Sequence, residues 1–154
     1  MLKTALASAA ACAFAVLAGC ASTGLSAPEI RVALSGANEV PPNTSTAAGK
    51  ASLWIHADRT LNGVMETSGM AATAAHLYLG DARVIGPLVL ELVRTGSDGP
   101  VAMENSPVSG ASWVIPRSAR FSEEHYQAYM AGEIYVNVHS ARYPEGEIRG
   151  QLRP

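Results

Sequence analysis

From Glu29 to Leu152 the chain is cut into short apolar runs, most alternating at period two and separated by Gly, Pro, Asn and Asp clusters. Period two sends successive side chains to opposite faces of an extended strand, so each such run can bury one face. The runs fall at 30–35, 49–57, 63–69, 73–80, 86–93, 111–116, 132–139 and 146–152. No helical pattern separates them, which disfavours a parallel α/β sheet and predicts an all-β domain. In 49–57, Leu53 and Ile55 share one face, and Trp54 and His56 the other. "DRTLNG" predicts a turn before 63–69, and "GPLVLELV" at 86–93, the most apolar run, predicts a central strand. The interval 95–110, rich in Gly and Pro, reads as a loop with one weak strand near 101–104.

One stretch breaks the period. "SEEHYQAYMAG", 122–132, has Ser122 to cap a helix, Glu123 and Glu124 to favour its first turn, and Gly132 to stop it. Tyr126, Tyr129 and Met130 fall at helical spacing and are expected to pack on the core. Eight or so strands with one short helix near 122–131 predict an immunoglobulin-like or Greek-key β-sandwich or barrel.

The hydrophobic share of 48% is raised by the first nineteen residues: Lys3, then "ALASAAACAFAVLAG". A basic start, an apolar middle and a small-residue end have the form of a secretory signal, too short for a permanent membrane span. "LAGC", 17–20, resembles the bacterial lipoprotein box. That resemblance implies cleavage before Cys20 and attachment of diacylglycerol to its thiol, with palmitate-type acylation anchoring the protein to a membrane. The expected organisation is a signal peptide at 1–19, a lipid-anchored tether at 20–28, whose "ASTGLSAP" is small and polar, and one domain at 29–153. Ala21 after Cys20 leaves no Asp to signal inner-membrane retention. The expected home in a Gram-negative cell is the outer membrane, facing the periplasm.

Cys12 and Cys20 are the two cysteines, so the mature chain has no thiol for a disulfide or a cysteine nucleophile. Without Lys3 it carries 10 basic and 13 acidic residues, with no basic stripe. Nucleic acid is not an expected partner.

Three blocks, "LSGANEVPPNTSTAAGKASLWI" (34–55), "TAAHLYLGDARVIGPLVLEL" (73–92) and "MAGEIYVNVHSARYPEGEIRGQL" (130–152), together resemble the CHRD domain. The resemblance implies an immunoglobulin-like barrel or sandwich and no established catalysis. Members often carry His-x-His where this chain has His76 and Tyr78.

The last two strands predict an antiparallel hairpin across 140–146. One face carries Ile134, Val136 and Val138; the other carries Tyr135, Asn137 and His139. Beside them Ile148, Gly150 and Leu152 oppose Glu147, Arg149 and Gln151. His76, Tyr78, Asn137, His139, Glu147 and Arg149 are therefore the candidate polar cluster. Three readings stay open: a hydrogen-bonded network that fixes the sheet, a transition-metal site on His76 and His139 with Glu147, and a site for a protein or glycan ligand. There is no nucleophile elbow, no Ser/His/Asp grouping, and Glu145 and Glu147 are turn neighbours rather than paired acids. The expectation is a non-enzymatic module without cofactor; the alternative is a metal-binding, redox-capable protein. His56 and His125 are expected at the surface, Trp54 and Trp113 as packing anchors, and "NEVPPN" (38–43) as a stiff loop between the first two strands.

Overall fold

The computed structural model describes residues 27–95, 100–103 and 106–154. The expected signal peptide, Cys20 and most of the expected tether lie outside them. Among the described residues no helix is long and apolar enough to cross a membrane.

The elements are β1 (Glu29–Ser35), β2 (Ala48–Ile55), β3 (Leu61–Ser68), β4 (Ala72–Leu79), β5 (Leu88–Glu91), β6 (Val93–Thr95), β7 (Pro100–Met103), β8 (Ser106–Ser109), β9 (Ser112–Val114), α1 (Glu123–Met130), β10 (Ile134–Ser140) and β11 (Ile148–Gln151). Nine strands form one antiparallel sheet in the order β5-β4-β10-β11-β1-β2-β3-β9-β6. The ends of that order are consecutive in the chain. The run 86–93 starts on one edge, against β4, and continues onto the other, against β9. Leu92, between them, is buried, and its N–H still donates to Ala75 O at 2.9 Å. The sheet thus curls until one run of chain closes it, leaving few free edges.

This corrects the expectation of a central strand at 86–93. The run is a seam: Leu88 and Val93 are about half exposed, and only Leu92 faces fully inward. Continuous apolarity suits burial on both faces, but here it covers a bend at which the inward side changes. The expected loop at 95–110 contains a small ribbon, β7 paired with β8, in place of one weak strand. The turn before β3 is tighter than expected. Asp58 Oδ1 accepts from the Thr60 N–H, Arg59 takes a left-handed φ of 71°, and the strand resumes at Leu61.

The period-two faces fall as the sequence predicts. Val32, Leu34, Leu53, Met65, Leu77, Ile134, Val136, Val138, Ile148 and Leu152 fill the barrel. Gly150 is required there. A Cβ on it would lie 2.5 Å from Val32 Cγ1 and 2.7 Å from Ala33 O, so β11 can approach β1 only without a side chain. Helix α1 is capped as expected, with Ser122 Oγ accepting from the His125 N–H and Gly132 at φ 74° after its end. Tyr129 is buried and Tyr126 packs against the core, but Met130 is half exposed and does not join them. Trp113 is buried; His125 lies edge-on to Phe121.

Candidate functional site

Strands β10 and β11 are buried on nearly both faces, while the outer side chains His76 and Tyr78 of β4 are part-buried. The inner face is the apolar core. The outer face carries the polar residues singled out above, covered by two loops, 36–47 and 80–87. Register sets the neighbours: His76 lies across from Asn137, and Asn137 across from Arg149. Tyr78 lies across from Tyr135, and Tyr135 across from Gln151.

Arg149 sits at the centre and is only 1% exposed. One terminal nitrogen, Nη2, donates to Asp81 O at 2.6 Å and to Val84 O at 3.1 Å. Its guanidinium carbon lies 3.4 Å from the centroid of the Tyr135 ring, a cation–π contact in a desolvated setting. Tyr135 in turn stacks on Tyr78 at 5.4 Å. The 80–87 loop is held over this stack: Gly86 N–H donates to Tyr135 Oη, and Gln151 Nε2 donates to Gly80 O.

The other loop is stitched down by its asparagines. Asn38 Nδ2 donates to Arg149 O, and Asn43 Nδ2 to Glu147 O. Between them Glu39, 7% exposed, brings a carboxylate beneath the outer face, where its Oε2 accepts from Asn137 Nδ2 at 3.3 Å. Burial raises the Glu39 carboxyl to about 7, against the opposing pull of Arg149 and the Asn137 amide. Two buried acceptors there, Glu39 Oε1 and Asn137 Oδ1, have no donor. A proton on Glu39 turns one of these acceptors into a donor, which accords with the raised value.

The histidines form a second group. His139 Nδ1 lies 3.0 Å from Pro144 O. A carbonyl can only accept, so this nitrogen carries the proton. In the neutral ring Nε2 then accepts from Tyr78 Oη at 3.1 Å, and Tyr78 Oη accepts from His76 Nδ1 at 3.0 Å. Burial, and secondarily His139, holds His76 below the ordinary histidine range. Burial raises the Tyr78 phenol. Burial thus favours the neutral forms of His76 and Tyr78 in this relay.

The six sequence-predicted residues thus divide. His76, Tyr78 and His139 form the relay, with the two imidazole centroids 5.1 Å apart. Asn137 and Arg149 form a network with Glu39 and Tyr135. Glu147 belongs to neither: its buried Oε1 accepts from Ser45 Oγ at 2.6 Å. His139 faces Tyr78 and the Pro144 carbonyl rather than Glu147 or Arg149, because the register sets Arg149 beside Asn137. Cys20 lies outside the described residues. Tyr135 and Gln151 were legible as members of the polar face. Glu39 was not, since nothing in "NEVPPN" says that a loop carboxylate turns inward.

What the relay can do chemically is limited by these partners. Both ring nitrogens of His139 are committed, and a metal ion bridging the imidazoles would have to displace the Tyr78 hydroxyl. Among the described residues no three His, Cys, Asp or Glu side chains gather as a metal cluster. Two or more such donors beyond a single free imidazole nitrogen are what transition-metal sites usually supply.

Beside the network lies a groove of about 600 Å³ between the two loops, floored by Glu39, Arg149 and Gln151 and rimmed by Arg31, Arg83 and Arg153.

The CHRD domain model matches residues 30–152, nearly the whole described barrel. No curated protein and no solved structure matches the chain. The match spans both loops, the relay and the Arg149 network, and the chain belongs to the CHRD-domain family.

Proposed function

We propose that this protein is a non-enzymatic binding module of the bacterial envelope, anchored through lipid on Cys20, that takes a protein or glycan partner in the groove between its two loops. Family membership supports a binding or structural module at the level of the family. The observation that carries the reading for this chain is the commitment of its polar side chains. Arg149, Asn38, Asn43, Gln151 and His139 each donate to a loop or strand carbonyl, so the outer face spends its hydrogen bonds on holding the loops. Rigid loops over a closed barrel are what a binding surface needs, since ordering costs are met before the partner arrives.

The test has two parts. Mass spectrometry of the chain expressed in a bacterium reads the mature N-terminus: acylated Cys20 supports the anchor, and a free or uncleaved end refutes it. Crosslinking from the groove rim in cells, at the exposed Ala82 replaced by a photoreactive residue, then reads partnership. One dominant protein or glycan adduct, absent when the same group is moved to the far side at Val64, supports the reading. Equal labelling from both positions refutes it.

A further inference from the structure

The groove has a composition that its structural role does not explain. Four arginines line it, Arg31, Arg83, Arg149 and Arg153, against one acidic residue, Glu39. Arg149 is spent on loop carbonyls and the Tyr135 ring. The other three are at the rim. Arg31 and Arg83 pair with Glu29 and Asp81, each two residues away and the arginine side chains 80% and 87% exposed. Such exposed pairs are weak and readily exchanged. Arg153 has no ion-pair partner among the described residues. Arg31 on β1 and Arg153, two residues past the end of β11, line the same groove. Like charges facing one groove repel, and an anion between them reverses the sign.

We propose that this groove binds an oxyanion, a carboxylate or a phosphate, held by Arg31, Arg83 and Arg153 over a Glu39 that takes up a proton as the anion enters. The inference rests on the reading of the groove as the binding site and gives that site its ligand chemistry. Guanidinium groups suit both anions because each presents paired donors to paired oxygens. Glu39 supplies the coupling. It is 93% buried, one of its oxygens has no donor, and it lies along the floor of the groove. The charged and titratable groups facing it are Arg149 from β11 and Tyr78 from β4, with the neutral Asn137 amide from β10. Ionised, Glu39 repels an incoming anion across low-dielectric protein. Protonated, it leaves arginines as the only charged side chains lining the groove, with Glu29 and Asp81 pairing two of them from outside it. Its carboxyl titrates near 7, so the exchange falls in an accessible range. The proton comes from solvent and returns there on release.

Calorimetric titration of the full chain in neutral detergent, with glucuronate and with inorganic sulfate, tests this. Neither anion titrates between pH 6 and 8, so any pH effect belongs to the protein. Saturable binding of at least one is expected at pH 6, weakening about tenfold at pH 8 as one linked proton is lost. Glu39→Gln should keep the pH 6 affinity and abolish the pH effect. The exposed pair Arg83→Gln with Arg153→Gln should lose binding while leaving the unfolding transition in place. No saturable binding at pH 6, unaltered binding in the double variant, or a pH effect that persists in Glu39→Gln each overturns the proposal. If rim crosslinking still finds its adduct while both anions fail, the oxyanion inference falls alone; if both fail, the groove is not the site.

Discussion

The guanidinium carbon of Arg149 lies 3.4 Å from the centre of the Tyr135 ring, and both residues are about 1% exposed. This pair joins adjacent strands on the outer face of the barrel rather than inside it. A buried charge there is tolerable only because its donors reach Asp81 O and Val84 O and its face meets a π-system. The consequence is that a side chain of β11 fixes the loop that follows β4. Loop position and sheet register are therefore set by the same residue.

Arg149 should accordingly resist even conservative change. Lysine keeps the charge but loses the planar fork and the stacking. Arg149→Lys is expected to cost about 2 kcal/mol, and Arg149→Ala about 3–4 kcal/mol, since the latter leaves two carbonyls and Glu39 without a counterpart. Urea unfolding gives both values. A Lys variant within about 0.5 kcal/mol of wild type would show that the arginine geometry is not what matters, because surface substitutions already fall in that range.

Two glycines in the same region should behave differently from each other. A methyl on Gly150 meets Val32 Cγ1 at 2.5 Å and the backbone oxygen of Ala33 at 2.7 Å, neither of which can move without shifting β1. Gly150→Ala is expected to cost about 2–3 kcal/mol by overpacking. Gly132, at φ 74°, has nothing within 4 Å of its would-be Cβ. Gly132→Ala carries only the left-handed backbone penalty of about 1 kcal/mol. Equal midpoints for the two variants in thermal unfolding would contradict the close approach of β11 to β1.

How much of this was legible beforehand follows from what period two encodes. Alternation assigned the inward faces of β2, β10 and β11 correctly, because burial against one core is what selects Leu53, Val136 and Ile148 at every second place. Ser122 and Gly132 marked the helix by local chemistry alone. Alternation does not encode which strand lies beside which, so "GPLVLELV" read as central when it is the seam that closes the barrel. Nor does it show that Asn137, Glu147 and Arg149 on the outer face are also buried. The loops 36–47 and 80–87 cover that face, and their contacts are long-range: Asn38 with Arg149, Asn43 and Ser45 with Glu147, Asp81 with Arg149. Hence the sequence pattern does not mark Glu39, and it places Glu147 beside residues other than its actual partner, Ser45.

Glu39 gives the barrel a pH-dependent element whose sign is opposite to that of an ordinary carboxylate. Its folded value, about 7, lies above the ordinary 4.5, so the native state holds an extra proton between those limits. The stability it contributes is present below about pH 4.5 and is lost as pH rises through 7. The span corresponds to about 3 kcal/mol. His76, held low, acts in the other direction, so the raw stability curve mixes the two. The difference between Glu39→Gln and wild type isolates Glu39. That difference should grow in favour of the variant by about 2–3 kcal/mol from pH 4.5 to pH 8, read by urea unfolding at intervals. A constant difference across the range would mean that Glu39 is ionised throughout.

The relay makes the last prediction, through Tyr78. Its hydroxyl is the one link between His76 Nδ1 and His139 Nε2, at 3.0 and 3.1 Å. The Pro144 carbonyl forces the proton onto His139 Nδ1, and the chain of donors then forces it onto His76 Nδ1 as well. Long-range nitrogen–proton NMR of the imidazoles, at a pH where both are neutral, should show both as the Nδ1–H tautomer. Tyr78→Phe removes the acceptor that fixes His76, while the Pro144 bond continues to fix His139. His76 should therefore redistribute toward Nε2–H and His139 should not. Because the relay is half exposed, water replaces part of what is lost, and the stability cost is about 1 kcal/mol. Wild-type His76 should also titrate below a free histidine, since burial disfavours its charged form. Its contribution to stability is then present above about pH 6.5 and declines as pH falls through its folded value. An Nε2–H tautomer at His76 in the wild type would break the assigned direction of the whole relay.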